Sequence, residues 1–377
     1  MLKLIVNFFI IINLSILFSI KSSFAIESVA KNAYLIDLST GEILLDQNST
    51  EKTYPSSMTK MMSVLVAFEK IKAGTLSLDQ EFLVSEKAWK MGGSKMFIEV
   101  GKKVKLSDLL LGIVVQSGND ASIALAEGIS GSEDLFAVEM NNLAKKIGLE
   151  GSHFVNSSGW PNEDHYTTAK DLAKIAQYTV ENHPDLYQMY KVTEFTYSGI
   201  KQDNRNPLLL TFEGADGFKT GHTENAGYGL VGSAIKGDRR LILVLNGLDS
   251  IKARAQESLR LMDWGFNNFQ LVDFYSSNEV VFEADTWLGK KDKVALVSNA
   301  DISVSIPKAQ INSAKVDVIV EEPIATPILK GDELGQLSVS FGDKKKSFPL
   351  YAGEDVEEKS FFSRIFSAIY YIVLGSN

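Results

Sequence analysis

The chain has 377 residues, a formal net charge of −9, no cysteine and four histidines. The missing cysteines exclude a disulfide framework, a thiol nucleophile and thiolate zinc sites, and the acidic balance argues against a nucleic-acid partner. His153, His165, His183 and His222 show no H-E-x-x-H spacing, so the sequence points to no metal and calls for no cofactor.

Taken in chain order, the first residues hold one lysine and then a long apolar run of Phe, Ile and Leu, followed by Ser23-Phe24-Ala25. Small residues at those positions predict a signal peptide over 1–25, cleaved after Ala25. Retention as an N-terminal anchor is the alternative, since the run is nearly long enough to span a bilayer. Residues 32–37 and 42–46 read as a hairpin closing at Thr40-Gly41. Pro55 and Ser56 suit the first turn of a helix, along which Met58, Met61, Met62, Leu65, Phe68 and Ile71 recur at helical spacing until Gly74. Further helices are predicted over 106–115 after a Ser107 cap, and over 121–128, 135–147 and 168–180. Residues 228–235 and 241–245 form a second hairpin across Gly237-Asp238. An antiparallel sheet carrying a helical cluster, an α+β arrangement, is the expected architecture of residues 26–268.

Over 272–352 the pattern changes to short alternating stretches, at 280–282, 294–297, 302–306, 316–320 and 337–341, as in a small β-sandwich. No catalytic constellation lies there, which leaves a spacer or a wall- or partner-binding surface. The tail, 356–377, places Phe361, Phe362, Ile365, Phe366, Ile369, Ile372 and Val373 on one helical face. It is too short to span a bilayer and is expected to lie on a membrane surface; a core-docked helix is the alternative.

The chemistry is carried by three motifs in order: Ser57-Met58-Thr59-Lys60, Ser117-Gly118-Asn119 and Lys219-Thr220-Gly221. A serine hydroxyl is a poor nucleophile near neutral pH and needs an adjacent base, and a spacing of three puts Ser57 and Lys60 on one helical face. Lysine acts as a base only when its ammonium form is disfavoured, by burial or by a second cation; Lys219 is the expected cation. Asn119 can bond Lys60 or a substrate amide, Ser117 can pass a proton toward the leaving amine, and Gly118 and Gly221 let backbone approach the substrate. Ser57 near a helix N-terminus also favours developing negative charge. Ser28-Val29-Ala30-Lys31 and Ser276-Ser277-Asn278 mimic two of the motifs and are read as decoys. Three motifs expected between helices, at a helix start and at a strand start can meet only in a cleft.

Residues 55–62, Ser117-Gly118-Asn119-Asp120-Ala121, residues 216–223, Ala226-Gly227-Tyr228 and Arg254-Ala255-Gln256-Glu257-Ser258 with Leu261, Trp264, Gly265 and Phe266 together resemble the low-molecular-mass penicillin-binding proteins, specifically the D-alanyl-D-alanine carboxypeptidases. The resemblance covers nearly the whole chain after the leader. It implies Ser57 as the acylated nucleophile, Lys60 as its general base, and Ser117 and Asn119 as aids to proton transfer and positioning. It further implies that Lys219 supplies charge, that Thr220 and Arg254 hold the terminal carboxylate of the peptide, and that backbone N–H groups of Ser57 and His222, next to Gly221, form the oxyanion hole. The arginine fork suits a carboxylate. The His222 side chain is expected to be peripheral. The partners so implied are peptidoglycan stem peptides, β-lactam antibiotics and a membrane surface, in the periplasm against the inner membrane. A DD-endopeptidase acting on crosslinks is the enzymatic alternative, and a non-hydrolytic penicillin sensor or wall-binding protein the other. A class A β-lactamase is disfavoured, because no Glu-x-x-Leu-Asn stretch lies between the second and third motifs.

Overall fold

The computed structural model describes residues 26–363 and Ile365. The predicted leader and all but the start of the tail helix lie outside the described residues. Among these, no helix is long and apolar enough to cross a membrane.

Five antiparallel strands form the central sheet, in the order Glu42–Gln47, Asn32–Asp37, Arg239–Leu248, Gly227–Lys236 and Ala215–Thr223. Period-two alternation sorts its residues between two cores. Ile242, Val244, Val231 and Tyr34 face a large helical cluster. Leu241, Leu243, Leu245, Leu230 and Leu35 face the opposite way, onto Leu261 and Met262 of the helix Ile251–Asn268. At the centre of the helical cluster is Lys60–Lys72, whose Met61, Met62, Val64, Leu65 and Phe68 are almost fully buried. Around it pack Leu106–Val114, Asn119–Ser130, Glu133–Lys146 and Ala169–Asn182.

Local chemistry accounts for most boundaries. Ser132 and Thr168 accept the third N–H of the helices that follow them, and Ser250 does the same for Ile251–Asn268. The predicted Ser107 cap is not used: the helix begins one residue earlier, at Leu106, after an extended Lys105 with no side-chain cap. Leu106 is completely buried, so tertiary packing rather than capping sets that start.

The second module begins at Phe269, directly after the long helix. A six-stranded sheet, built around Glu333–Phe341 and Lys344–Ala352, packs against the pair Phe269–Tyr275 and Ile302–Pro307. Leu296, Ile302, Val304, Ile306, Leu337, Val339 and Leu350 fill the space between. All five predicted stretches are strands here. Lys344–Ala352 escaped the pattern because three consecutive lysines mask its alternation.

The two modules share polar contacts. The buried Asp37 carboxylate accepts Arg239 Nε at 2.5 Å and the hydroxyl of Ser305, while Arg239 also donates to the carbonyl of Phe269 at 3.1 Å. Glu42 pairs with Lys344 and, at 2.8 Å, with Lys346.

Candidate active site

The Ser57 segment is not α-helical from its start. Ser56–Thr59 forms a 3-10 turn that leads into Lys60–Lys72. Three residues per turn eclipse positions i and i+3, so Lys60 lies directly over Ser57. Lys60 Nζ is 2.9 Å from Ser57 Oγ, 2.8 Å from Asn119 Oδ1 and 2.7 Å from the carbonyl oxygen of Ser158. These are three acceptors for three ammonium protons. When the amine is neutral, its two protons stay on Asn119 and Ser158, and the lone pair turns to the Ser57 hydroxyl. Loss of one proton therefore changes a single contact, the one to the nucleophile.

The electrostatics favour that neutral form. Burial, and then the charge of Arg205, push the Lys60 ammonium down to about 7, against a smaller opposing pull from Asp120. Arg205 stands where the sequence predicted Lys219 to act. The buried Lys219 is itself held well below the usual lysine range, by burial first and then by Lys60, Arg205 and Arg254. Its ammonium donates to the carbonyl of Thr220 at 3.1 Å.

Ser117 has a left-handed backbone, φ 60°, unusual for a residue with a Cβ, and its side chain lines the catalytic cleft. Asn119 opens a helix with its side-chain amide on the carbonyl of Gly92 at 2.8 Å, so both ends of the group are fixed. The neighbouring Asp120, fully buried, accepts the backbone N–H groups of Met96, Phe97 and Ile98 and so ties the loop above the site to this helix.

Lys219-Thr220-Gly221 lies in the middle of Ala215–Thr223, not at its start, and that strand is the sheet edge facing the nucleophile. A Cβ at Gly221 would stand 3.0 Å from the carbonyl oxygen of Pro55 and 3.2 Å from Ser56 Cβ. A side chain here would push the Ser57 turn back by a few tenths of an ångström, so glycine suits this close approach of the strand. The cleft, of about 340 Å³, is lined by Ser57, Ser94, Ser117, Arg205, Thr220, Gly221, His222, Tyr228, Ile251 and Arg254. Arg254 is buried, its guanidinium 5.8 Å from the Tyr228 ring centre, with no partner on Nε among the described residues. His222 is exposed and stacks on Tyr228 at 3.9 Å, away from any serine-histidine relay. His165 is no better placed as a base: burial pushes it down to about 4, and it accepts from Val155 N–H and bonds Thr59.

Sequence reasoning missed Arg205, which donates to Ser94 at 2.6 Å across the cleft rim, and the loop that supplies the Ser158 carbonyl. Asn156 Oδ1 gathers the N–H groups of Ser158, Gly159 and Trp160, and Glu133 holds Ser157 through its N–H and hydroxyl. A Cβ at Gly159, where φ is +79°, would fall 1.7 Å from the Ser56 carbonyl oxygen. Asn-Ser-Ser-Gly announces a loop, but nothing in it announces a carbonyl aimed at a lysine. Both decoys are structural. Ser28 bonds Glu257, and Ser277 sits in a turn of the second module.

Comparison with known proteins agrees with this geometry. The D-alanyl-D-alanine carboxypeptidase family matches residues 20–250, and the penicillin-binding protein 5 C-terminal domain matches residues 269–358. The chain belongs to the D-alanyl-D-alanine carboxypeptidase family. The D-alanyl-D-alanine carboxypeptidase DacC of Escherichia coli (strain K12) is 36% identical over 344 residues, 89% of this chain and 86% of that protein. Penicillin-binding protein 5 of Haemophilus influenzae superimposes with a TM-score of 0.81 at 34% identity, covering 88% of this chain and 99% of that one. Penicillin-binding protein D2 of Listeria monocytogenes, solved in an ampicillin-bound form, aligns at a TM-score of 0.59 and 28% identity over 64% of this chain and 99% of its own.

Proposed function

We propose that the protein is a serine-type carboxypeptidase that removes the terminal D-alanine from peptidoglycan stem peptides through an acyl-enzyme on Ser57. The observation that carries this reading is the Lys60 amine held 2.9 Å from Ser57 Oγ, with its other acceptors fixed on Asn119 and Ser158. Lys60 takes the Ser57 proton as Oγ attacks the carbonyl of the penultimate D-alanine. Negative charge on the carbonyl oxygen is met by the N–H groups of Ser57 and His222. Ser117 passes the proton taken up by Lys60 on to the departing amine, Asn119 holds the peptide, and D-alanine leaves with the lysine neutral again. Water, activated by the same lysine, then frees the serine. Thr220 and Arg254, with the charge of Lys219 behind them, hold the terminal carboxylate. A β-lactam acylates the same serine.

Purified protein given a pentapeptide ending in D-Ala-D-Ala should release D-alanine, and fluorescent penicillin should label it covalently. Ser57→Ala should abolish both. Persistent labelling of that variant would reject the assignment.

The apolar leader and the aromatic tail support placing this activity in the periplasm, with the tail lying on the outer leaflet of the inner membrane. Flotation of full-length and tail-truncated mature protein with liposomes tests the placement, and a truncated form that still floats would reject it.

A further inference from the structure

The six-stranded sheet of the second module ends on one side at Lys315–Val320, which pairs with Glu333–Phe341 alone. No strand lies on its outer edge among the described residues, so a row of backbone N–H and C=O groups faces away from the module. Such an edge is usually blunted by proline, a bulge or several lysines. Here the register runs without a shift from Lys315 to Val320, no proline interrupts it, and four of the six residues are Val or Ile.

Alternation puts Val316, Val318 and Val320 on one face, where Val318 and Val320 pack against the core of the module. Lys315, Asp317 and Ile319 share the other face, and Glu321 follows one step beyond the strand. Val316 is 39% and Ile319 50% exposed. At the Val320 end a groove of about 390 Å³ is lined by Ile319 and Leu334 and by two carboxylates, Glu321 and Glu333, with no cation in its lining. The side chains of Lys315, Glu321 and Glu333 have no hydrogen-bond or ion-pair partner among the described residues. The strand thus begins with an unpaired cation and ends in an unpaired anionic groove.

That arrangement is complementary to itself turned by half a turn. Residues directly opposite in an antiparallel pair share a face, so two copies can meet only in registers that set valine against valine. Two such registers pair five of the six strand residues. One, centred on Asp317, sets that carboxylate against its own copy. The other, centred on Val318, sets Lys315 of each copy opposite Glu321 of the other, beside Glu333, and does so at both ends. It also places Val316 against Val320 and Val318 against itself, which carries the valine face across the junction.

We infer that Lys315–Val320 is a homodimer edge, at which a second copy of this chain adds its own strand antiparallel about a twofold axis at Val318 and joins the two sheets into one. The backbone supplies the ladder, and the paired charges fix the register.

Sedimentation of the mature protein from about 1 to 100 μM, the range open to a small interface, should show a monomer–dimer equilibrium. Lys315→Glu should raise the dimer Kd roughly tenfold, because two attractive pairs become repulsive. Glu321→Lys with Glu333→Lys should do the same, and the three changes together should restore the dimer, a recovery that misfolding cannot mimic. The chain has no cysteine, so Val318→Cys introduces a single thiol. Opposite Cα atoms in such a pair lie roughly 4.5–5.5 Å apart, within disulfide reach. Mild oxidation should therefore link Val318→Cys into a covalent dimer, and should leave Val280→Cys, which is 52% exposed on another strand, monomeric. A monomer at every concentration, with no covalent dimer from Val318→Cys, would overturn the inference. So would a dimer that is lost with the tail but unchanged by Lys315→Glu, since its contact would then lie in the tail.

Discussion

Lys60 makes three bonds, but only the one to Ser57 depends on which proton it has lost. Because burial and Arg205 bring its ammonium to about 7, the base is half formed near neutrality. Its folded pKa is depressed, so the active neutral form gains as pH rises through about 7 and is lost below it. The rate of acylation by a β-lactam, followed from pH 5 to 9, should therefore rise through that value. Arg205→Ala should move the inflection upward, since one of the charges disfavouring the ammonium is gone. Lys60→Arg should lose more than about a hundredfold in acylation, the usual worth of a general base, because guanidinium keeps its proton. At Arg254 the expectation concerns the substrate. Arg254→Ala should cost roughly 2–5 kcal/mol of transition-state binding on peptides with a free carboxylate, and far less on ester analogues. Equal losses on the two would make Arg254 structural.

The elements show where sequence reading stops. Hairpins, helices and the three motifs were legible because each follows a local period or spacing: Leu241, Ile242, Leu243, Val244 and Leu245 alternate between the two cores as a strand must. The 3-10 turn under Ser57 was not legible, since its spacing fits an α-helix equally well. Nor was the Ser158 carbonyl, because a backbone acceptor has no residue signature. Its position depends on Glu133. Burial raises that carboxyl, but Lys87 and Ser157 outweigh it and hold the group below its ordinary range. The stability it contributes is complete above the ordinary carboxylate range and is lost as pH falls through the lowered folded value. Glu133→Ala should cost about 1–3 kcal/mol in urea unfolding and slow acylation by loosening the Ser157–Ser158 turn. A stable variant acylated at the native rate would detach that turn from the reaction.

At the scale of the molecule, the catalytic module and the β-module meet through Asp37, which takes Arg239 from its own sheet and Ser305 from the other module. This contact was not legible beforehand, because Asp37 lies 268 positions from Ser305 and reads as an ordinary strand end. Arg239 is buried, so removing its partner strands a charge. Asp37→Ala should cost roughly 3–5 kcal/mol and split thermal unfolding into two calorimetric transitions. One unchanged cooperative transition would show that the modules are held together elsewhere.

The cleft described above gathers two guanidinium groups and the hydroxyls of Ser57, Ser94, Ser117 and Thr220 around a volume of about 340 Å³. Such a cradle recognises charge and hydrogen-bond geometry, and a peptide terminus is only one thing that offers both. Sulfate and phosphate do so too. Simple buffer anions should therefore compete with substrate, raising KM while leaving kcat alone, and rates measured in phosphate should fall below those in a zwitterionic buffer of equal ionic strength. The same competition should protect the nucleophile from β-lactams, so that the inhibitor potency of one drug against one protein varies with the salt in which it is assayed.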